Sequence, residues 1–259
     1  MIWGEVDSPK NIFRILTFKM NELILTALTV GGATIFGGAA GLVFKKTTKT
    51  FTDGVLSFAA GVMLAAAFIG LIMPSIDYGG VFISVIGIFL GALLVNFLDL
   101  LIPLISSKKS EDDRLRRVFL FVMAIALHNL PEGIAAGVGL GAGEASDGFL
   151  IALAIALQNI PEGLIVIVSM LGVGVKPLRA FLISALTGVI EIFGTFLGYY
   201  AVGISSAMLP LILAVAGGTM LYVISEEMIP ETHSEGSGKL STYFLLGGFS
   251  LILIFDALI

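Results

Sequence analysis

Long apolar stretches with almost no charge recur along this chain of 259 residues, and their length restricts the fold more than any other feature. A helix needs about 17–25 such residues to cross the hydrocarbon core of a bilayer. We predict eight spans, at about 23–44, 53–74, 80–105, 118–141, 148–172, 178–201, 206–229 and 240–259. Since lipid offers no hydrogen-bond partners to the backbone, each span must be helical. The predicted fold is an all-α integral membrane protein.

Composition agrees with a membrane protein and narrows its chemistry. Hydrophobic residues make up 57% of the chain and charged residues only 13%, whereas soluble domains carry about 45–50% and about 25%. The chain contains no cysteine. This absence excludes disulfide scaffolds, thiolate metal sites and cysteine nucleophiles, so any metal must be held by nitrogen and oxygen ligands.

Basic residues are distributed unevenly between the predicted loops. The loops after spans 2, 4 and 6 contain no Lys or Arg, and those after spans 1, 3, 5 and 7 contain Lys45, Lys46, Lys49, Lys108, Lys109, Arg114, Arg116, Arg117, Lys176, Arg179 and Lys239. Because positively charged loops remain in the cytoplasm, we expect both termini to be extracytoplasmic. The basic residues of the N-terminal segment are the exception to this pattern.

Two segments lie outside the predicted spans. Residues 1–22 mix aromatic with basic side chains and lack the continuous apolar core of a signal peptide. We interpret them as an amphipathic juxtamembrane segment at the membrane interface, followed by a transmembrane domain at 23–259. The loop at 106–117 carries both signs of charge. It is interpreted as a solvated cytoplasmic connector, with a regulatory role in binding metal or lipid headgroups as the alternative.

A repeated motif carries the strongest functional signal. Residues 124–133 read AIALHNLPEG and residues 154–163 read AIALQNIPEG, on consecutive spans that run antiparallel. The HNLPEG or QNIPEG part of each copy begins about ten residues into its span, which places it near the bilayer midplane at about 1.5 Å per residue. Pro131 and Pro161 lack a backbone donor and clash with the carbonyl four residues earlier. We therefore predict a kink in both helices at the same depth.

The polar residues of the two motifs predict a metal site. His128 and Glu132 are four residues apart and share a helix face, as do Gln158 and Glu162. A carboxylate at mid-membrane costs at least about 2.5 kcal/mol unless it is paired or coordinated. Imidazole with carboxylates suits Zn²⁺, Fe²⁺ or Mn²⁺, whereas Ca²⁺ and Mg²⁺ seldom use histidine. The alternative is a plain helix kink whose Glu caps freed backbone groups, but the duplication at matching depth favours metal.

Three further residues lie near the motif. Asn129 and Asn159 offer oxygen ligands on a neighbouring helix face, and Glu191 stands in the middle of span 6 within GVIEIFG. We interpret Glu191 as a third carboxylate of the same site. The alternative is a neutral carboxyl group hydrogen-bonded to a neighbouring helix.

The HNLPEG and QNIPEG pair, followed by a lone Glu in the next span, resembles the ZIP (Zrt/Irt-like) metal transporters, especially their bacterial GufA-type branch. This resemblance implies eight transmembrane helices in a 3+2+3 arrangement, with spans 1–3 and 6–8 as inverted repeats around two kinked metal-binding helices. It implies transport of a divalent transition metal into the cytosol of a prokaryote, across the plasma (inner) membrane. Zinc is the expected cargo, with iron, manganese and cadmium as alternatives. No organic cofactor or nucleic-acid partner is expected, and a homodimer is allowed.

Individual residues carry over from the resemblance. A first metal site would use His128, Glu132, Gln158 and Glu162, and a second would add Asn129, Asn159 and Glu191, with the motif glutamates bridging. Some relatives have Asp at the position of Asn159. The resemblance also implies cytoplasmic exit residues and an entrance residue, which are Glu227, Glu231, His233 and Asp256; ordinary solvated helix ends are the alternative for the exit group. Asp99 is expected to make a structural hydrogen bond.

The sequence also suggests internal symmetry and leaves two other functions open. Span 2 contains Gly-Val-Met-Leu at 61–64 before Pro74, and span 7 contains Gly-Thr-Met-Leu at 218–221 before Pro230, as an inverted repeat would. One alternative function is an intramembrane metallohydrolase, but the chain has two histidines and lacks HExxH. The other is a cation antiporter of a different fold, against which the adjacent placement of the two motif copies argues.

Overall fold

The computed structural model describes residues 9–43, 48–105, 113–142, 145–204, 206–233 and 238–258, with some side chains inside these ranges excepted. The helices within these ranges are α1 (Pro9–Val43), α2 (Lys49–Ala65), α3 (Met73–Ile105), α4 (Asp113–Ala142), α5 (Ala145–Gly172), α6 (Pro177–Ile204), α7 (Leu209–Val223), α8 (Ile229–His233) and α9 (Gly238–Leu258). Two π-helical segments, Ala66–Ile72 and Ile224–Met228, join α2 to α3 and α7 to α8, and a 3₁₀ turn at Ser206–Met208 precedes α7. No strand occurs in these ranges.

Six helical stretches of the described residues are long and apolar enough to cross a membrane: Lys19–Val43, Lys49–Phe97, Phe149–Gly172, Pro177–Val202, Leu209–His233 and Gly238–Leu258. Helix α4, whose side chains are described only in part, is not among them. The second stretch has 49 residues, about twice the length that one crossing requires. It is broken at Gly80, whose φ of 78° lies in the left-handed region that glycine tolerates. This break coincides with the predicted start of span 3.

Large apolar side chains cover the outside of the helical assembly. Phe82 is 83% exposed, and Phe89 and Tyr243 are also exposed, which would be costly in water. Lipid is the solvent in which such a surface is stable. The chain is therefore an all-α integral membrane protein, as its hydropathy predicts.

Glycine contacts place the two motif helices in the centre. Helix α4 packs on α6 and α5 packs on α1. A Cβ atom at Gly133 would overlap the backbone carbonyl of Glu191, and one at Gly163 would overlap that of Thr34. Residues without a side chain let membrane helices approach closely. The final glycine of each motif thus brings its helix against a polar residue of a neighbour.

Both α4 and α5 stay helical through Pro131 and Pro161, and the kink at these prolines remains a prediction. Irregular turns occur in the two π-helical segments. Each segment ends one residue before a residue that precedes a proline, in Met73-Pro74 and Ile229-Pro230. There, the backbone N–H of Met73 bonds to the carbonyl five residues earlier, as does that of Ile229. The wider turn moves the preceding carbonyls away from the proline ring.

The two segments that the sequence sets apart are described only in part. Helix α1 is continuous from Pro9 to Val43, so residues 9–22 are helical and run into the apolar stretch that begins at Lys19. Residues 1–8, and 106–112 of the charged loop, lie outside the described residues, and so do the side chains of His128 and Asp99. The interfacial and regulatory roles of these segments remain predictions.

Candidate metal site in the membrane core

Six of the seven residues predicted for the metal site have described side chains, and all six are buried: Asn129, Glu132, Gln158, Asn159, Glu162 and Glu191. Helices α4, α5 and α6 supply them. Helices α4, α5 and α6, which carry Glu132, Glu162 and Glu191, contact one another. The seventh residue, His128, is on α4, one turn before Glu132. The structure therefore brings the predicted acids together in the core.

Glu132 has an unusual environment for a buried acid. Neither carboxylate oxygen of Glu132 makes a hydrogen bond of normal geometry to a described side chain, although the Gln158 amide lies beside it, and the amide atoms of Asn129 and Gln158 also lack a partner of normal geometry. Buried polar groups are nearly always hydrogen-bonded, since leaving one unsatisfied costs about 1–3 kcal/mol or more for a charge. The carboxylate and amide oxygens among these atoms are of the kind that coordinates a cation.

Carboxylates and amides make up the described part of this site. Within the described ranges, no three His, Cys, Asp or Glu side chains are close enough to hold a metal ion. Any ion bound beside Glu132 must therefore take some of its ligands from the amide oxygens, from His128 or from water. Such mixed nitrogen and oxygen sets are usual for borderline divalent metals.

Glu191 lies in a different environment from Glu132. Its Oε2 accepts a hydrogen bond of 2.6 Å from the Thr34 hydroxyl of α1, and its Oε1 accepts one of 2.6 Å from the Asn159 amide of α5. The same Asn159 nitrogen also donates to the backbone carbonyl of Val30 at 3.2 Å. Sequence reasoning did not identify Thr34. The available signal was the Ile-Phe-Gly triplet that follows both Thr34 and Glu191.

A cavity of about 340 Å³ leads from the motif glutamates to the junction of α7 and α8. Its lining comprises Leu56, Ile125, Glu132, Glu162, Ile165, Val223, Glu226, Glu227, Met228, Pro230 and Glu231. Five of these residues are glutamates, and no lysine or arginine occurs among the lining residues that the structure describes. A lining of this kind favours cations over anions. Glu226 was missed by sequence reasoning, and the predicted exit residues Glu227 and Glu231 both line the cavity.

The remaining two predicted transport residues lie elsewhere. His233 is held within the protein: its Nδ1 is 2.9 Å from the carbonyl oxygen of Ile229, and its Nε2 is 3.2 Å from the hydroxyl of Thr242. Asp256 is exposed on α9. In the described part of the chain, neither His233 nor Asp256 is among the residues lining the cavity.

Comparison with known proteins identifies the same family as the motif pair. The family described as ZIP Zinc transporter matches residues 105–256. Zinc transporter ZIPB of Bordetella bronchiseptica is 37% identical over 240 residues, which cover 86% of this chain and 77% of that protein. Zinc transporter GufA of Myxococcus xanthus is 38% identical over 174 residues, 66% of this chain and 68% of the relative. Zinc transporter ZIP11 of Xenopus tropicalis is 29% identical over 323 residues, 91% and 96% of the two chains.

These matches confirm the resemblance to the family and to its bacterial GufA-type branch, which the HNLPEG and QNIPEG motifs indicate. The family match extends over the helices that carry the buried acids and over all five glutamates of the acidic cavity. The chain belongs to the ZIP zinc transporter family.

Proposed function

We propose that this protein transports divalent transition-metal cations, with zinc as the principal cargo, across the membrane into the cytosol. Iron, manganese and cadmium are further substrates by ligand chemistry. The observation that carries the proposal is Glu132: a buried carboxylate without a described protein partner, at the head of a cavity lined by glutamates. The relatives named above as zinc transporters support the same cargo. The protein is a transporter and not an enzyme.

The metal exchanges its hydration water for protein ligands at mid-membrane. Glu132 and Glu162 supply charge, and His128 with the amide oxygens of Gln158 and Asn129 completes the coordination. A cation at this point offsets the cost of placing carboxylates away from water. From there, the acidic cavity offers Glu226, Glu227 and Glu231 as successive weaker partners on the way to the cytosol. Asp256 stays a proposed entrance residue, and His233 a proposed exit residue that would have to release its present contacts first.

We further propose the 3+2+3 arrangement of eight spans, in which Gly80 separates spans 2 and 3. Its support is a repeat of contacts between α1 and α6. Thr34 and Glu191 are 157 residues apart, and glycines recur at the same separation: Gly31, Gly37 and Gly41 against Gly188, Gly194 and Gly198. Gly37 abuts the backbone carbonyl of Ile160, and Gly194 abuts that of Leu130, the equivalent motif residue. The α1–α5 contact thus repeats the α6–α4 contact.

The outer helices support the same arrangement. Gly61 of α2 abuts the carbonyl of Leu245 in α9, and Gly218 of α7 abuts the carbonyl of Ile88 in α3. Gly218 lies 157 residues after Gly61, and Leu245 lies 157 residues after Ile88, which is the separation between Thr34 and Glu191. A two-fold axis in the membrane plane produces such reciprocal contacts, and transporters with inverted repeats bind cargo where the repeats meet.

Flux measurement tests the proposed function directly. Purified protein in liposomes should admit zinc ions, detected by an indicator trapped inside, at a rate well above that of empty liposomes. The same preparation should not hydrolyse peptide or lipid substrates, which the metallohydrolase alternative requires. Hydrolysis without metal flux would contradict transport.

Orientation follows from the distribution of basic loops and can be tested with single cysteines, because the chain contains none of its own. We expect Lys176→Cys, in an exposed loop, to react with a membrane-impermeant maleimide only after cells are opened. Asp77→Cys, exposed beside the Gly80 break, should react in intact cells. The cysteine-free parent is the control. The reverse pattern of labelling would place both termini in the cytoplasm.

The acidic cavity should accelerate metal movement by concentrating cations. Glu226 is exposed and lines this cavity, so Glu226→Gln should reduce the initial rate of zinc uptake by several-fold, and Glu226→Lys by about tenfold or more. Uptake by both variants and the wild type is compared at low and high salt, where screening should shrink the difference. Equal rates for the three proteins at low salt would remove the cavity from the pathway.

A further inference from the structure

Two of the buried carboxylates in the core differ in how far the protein itself satisfies them. Among the described residues, both oxygens of Glu132 are without a hydrogen-bond partner. Both oxygens of Glu191 accept hydrogen bonds of 2.6 Å, one from Thr34 and one from Asn159. Both distances are short for hydrogen bonds to a carboxyl group. Glu191 therefore has protein partners for both of its oxygens, and Glu132 has no hydrogen bond of normal geometry among the described residues.

The donor hydrogens around Glu191 are fully used. The amide nitrogen of Asn159 carries two hydrogens, and it donates to Glu191 and to the carbonyl of Val30. The single hydroxyl hydrogen of Thr34 goes to Glu191. A cation approaching between Asn159 and Glu191 would meet the amide N–H group, which repels it. Turning that amide over would break both of its hydrogen bonds.

The oxygen of the same amide remains available. Asn159 Oδ1 is buried and has no hydrogen-bond partner among the described groups, as is also true of both polar atoms of Asn129. Glu191 and Val30 thus fix the nitrogen end of the Asn159 side chain and leave its oxygen end for another ligand. Partners that hold a ligand by its far end tune metal affinity in many sites.

We infer that the membrane core of this protein holds one metal ion, beside Glu132 and Glu162, and that Glu191 and Thr34 are positioning residues that orient Asn159. The second metal site that the family resemblance implies does not fit the donor set found here. This inference rests on the proposed function and deepens it. Helices α1, α5 and α6 are joined by the Thr34–Glu191–Asn159 cluster, which occupies the place of a second ion.

Counting bound zinc tests the inference. Purified protein is equilibrated with zinc ions, and the metal per chain is compared with that of a variant carrying both Glu132→Ala and Glu162→Ala. Subtracting the count of the double variant from that of the wild type leaves out ions bound elsewhere in the acidic cavity. We expect one ion for the wild type and one for Glu191→Gln. Two ions for the wild type and one for Glu191→Gln would overturn the inference. Equal zinc counts for the wild type and the double variant would instead contradict the proposed function.

Substitution of Asn159 gives a test in the opposite direction. Asn159→Asp removes the amide donor and sets a second carboxylate against Glu191, so the same difference should rise from one ion to two. A count that stays at one would show that the amide does not exclude the second ion, and would overturn the inference.

Thr34→Val tests positioning separately from folding. Its zinc count should stay at one while the dissociation constant rises about tenfold, since Asn159 and Glu191 lose a shared support. The matched control is Thr195→Val, because the Thr195 hydroxyl is also buried but bonds to the backbone carbonyl of Glu191 and not to its carboxylate. Equal affinities for the two variants would overturn the positioning role.

Discussion

Zinc uptake falls to background when Glu132 or Glu162 is replaced by alanine. Each change removes a carboxylate from a buried site whose remaining polar atoms cannot replace its charge. Removing one partner of a buried charge pair costs about 2–5 kcal/mol, which corresponds to a loss of roughly thirtyfold or more in affinity for the cargo. The expected measurement is radioactive zinc uptake into cells, normalised to the amount of protein in the membrane.

Two controls separate this effect from misfolding or a general change of charge. Glu132→Gln and Glu162→Gln keep the shape of the side chain and should lose uptake as the alanine variants do. Glu22→Ala removes a carboxylate from α1, at a position that is not among the described residues lining the cavity, and should transport normally. Normal uptake by the Glu132 and Glu162 variants would show that cargo takes another path.

Adding a methyl group at Gly37 or Gly163 lowers the stability of the protein in detergent. A Cβ at Gly37 would overlap the backbone carbonyl of Ile160, and one at Gly163 would overlap that of Thr34. A backbone atom cannot rotate away as a side chain can, so α1 and α5 must separate. Overpacking of this kind costs about 1–3 kcal/mol, and we expect Gly37→Ala and Gly163→Ala each to lower the melting temperature by several degrees.

Two other glycines provide the matched control for this stability prediction. A Cβ at Gly32 or Gly247 meets nothing within 4 Å, so alanine should be tolerated there and should favour the helix by up to about 1 kcal/mol. Thermal unfolding in detergent is followed for all four variants. Equal melting temperatures for Gly32→Ala and Gly37→Ala would mean that α1 and α5 do not pack as closely as the structure indicates.

Features that depend on short stretches of sequence were predicted well. The apolar stretches gave the helical membrane fold, and the break at residue 80 fell where a glycine precedes a new apolar run. The two motif copies identified the buried acids, because a charge inside an apolar helix is conspicuous and its spacing from His or Gln is easily recognised. The family followed from the same residues.

Features that depend on contacts between helices were not predicted. Thr34 looks like an ordinary helix threonine, and Thr187, Thr195 and Thr219 each bond back to their own helix. Only the packing of α1 against α5 and α6 directs the Thr34 hydroxyl to Glu191. The two π-helical segments were not predicted for a related reason: a proline alone does not determine whether the preceding turn widens, since neighbouring helices decide which carbonyls can move.

The π-helical segment Ile224–Met228 determines which way the acids that follow it point. A turn closed by a bond to the fifth residue holds one residue more than an α-turn, so it shifts the angular phase of the downstream chain by about 100°. Rewinding this segment as ordinary α-helix, with every residue kept, would rotate Glu231 by that angle and out of the cavity, whereas deleting one residue from the segment would restore ordinary winding and leave the direction of Glu231 unchanged. The direction of the acidic lining therefore depends on how this segment is wound as much as on the identity of its residues.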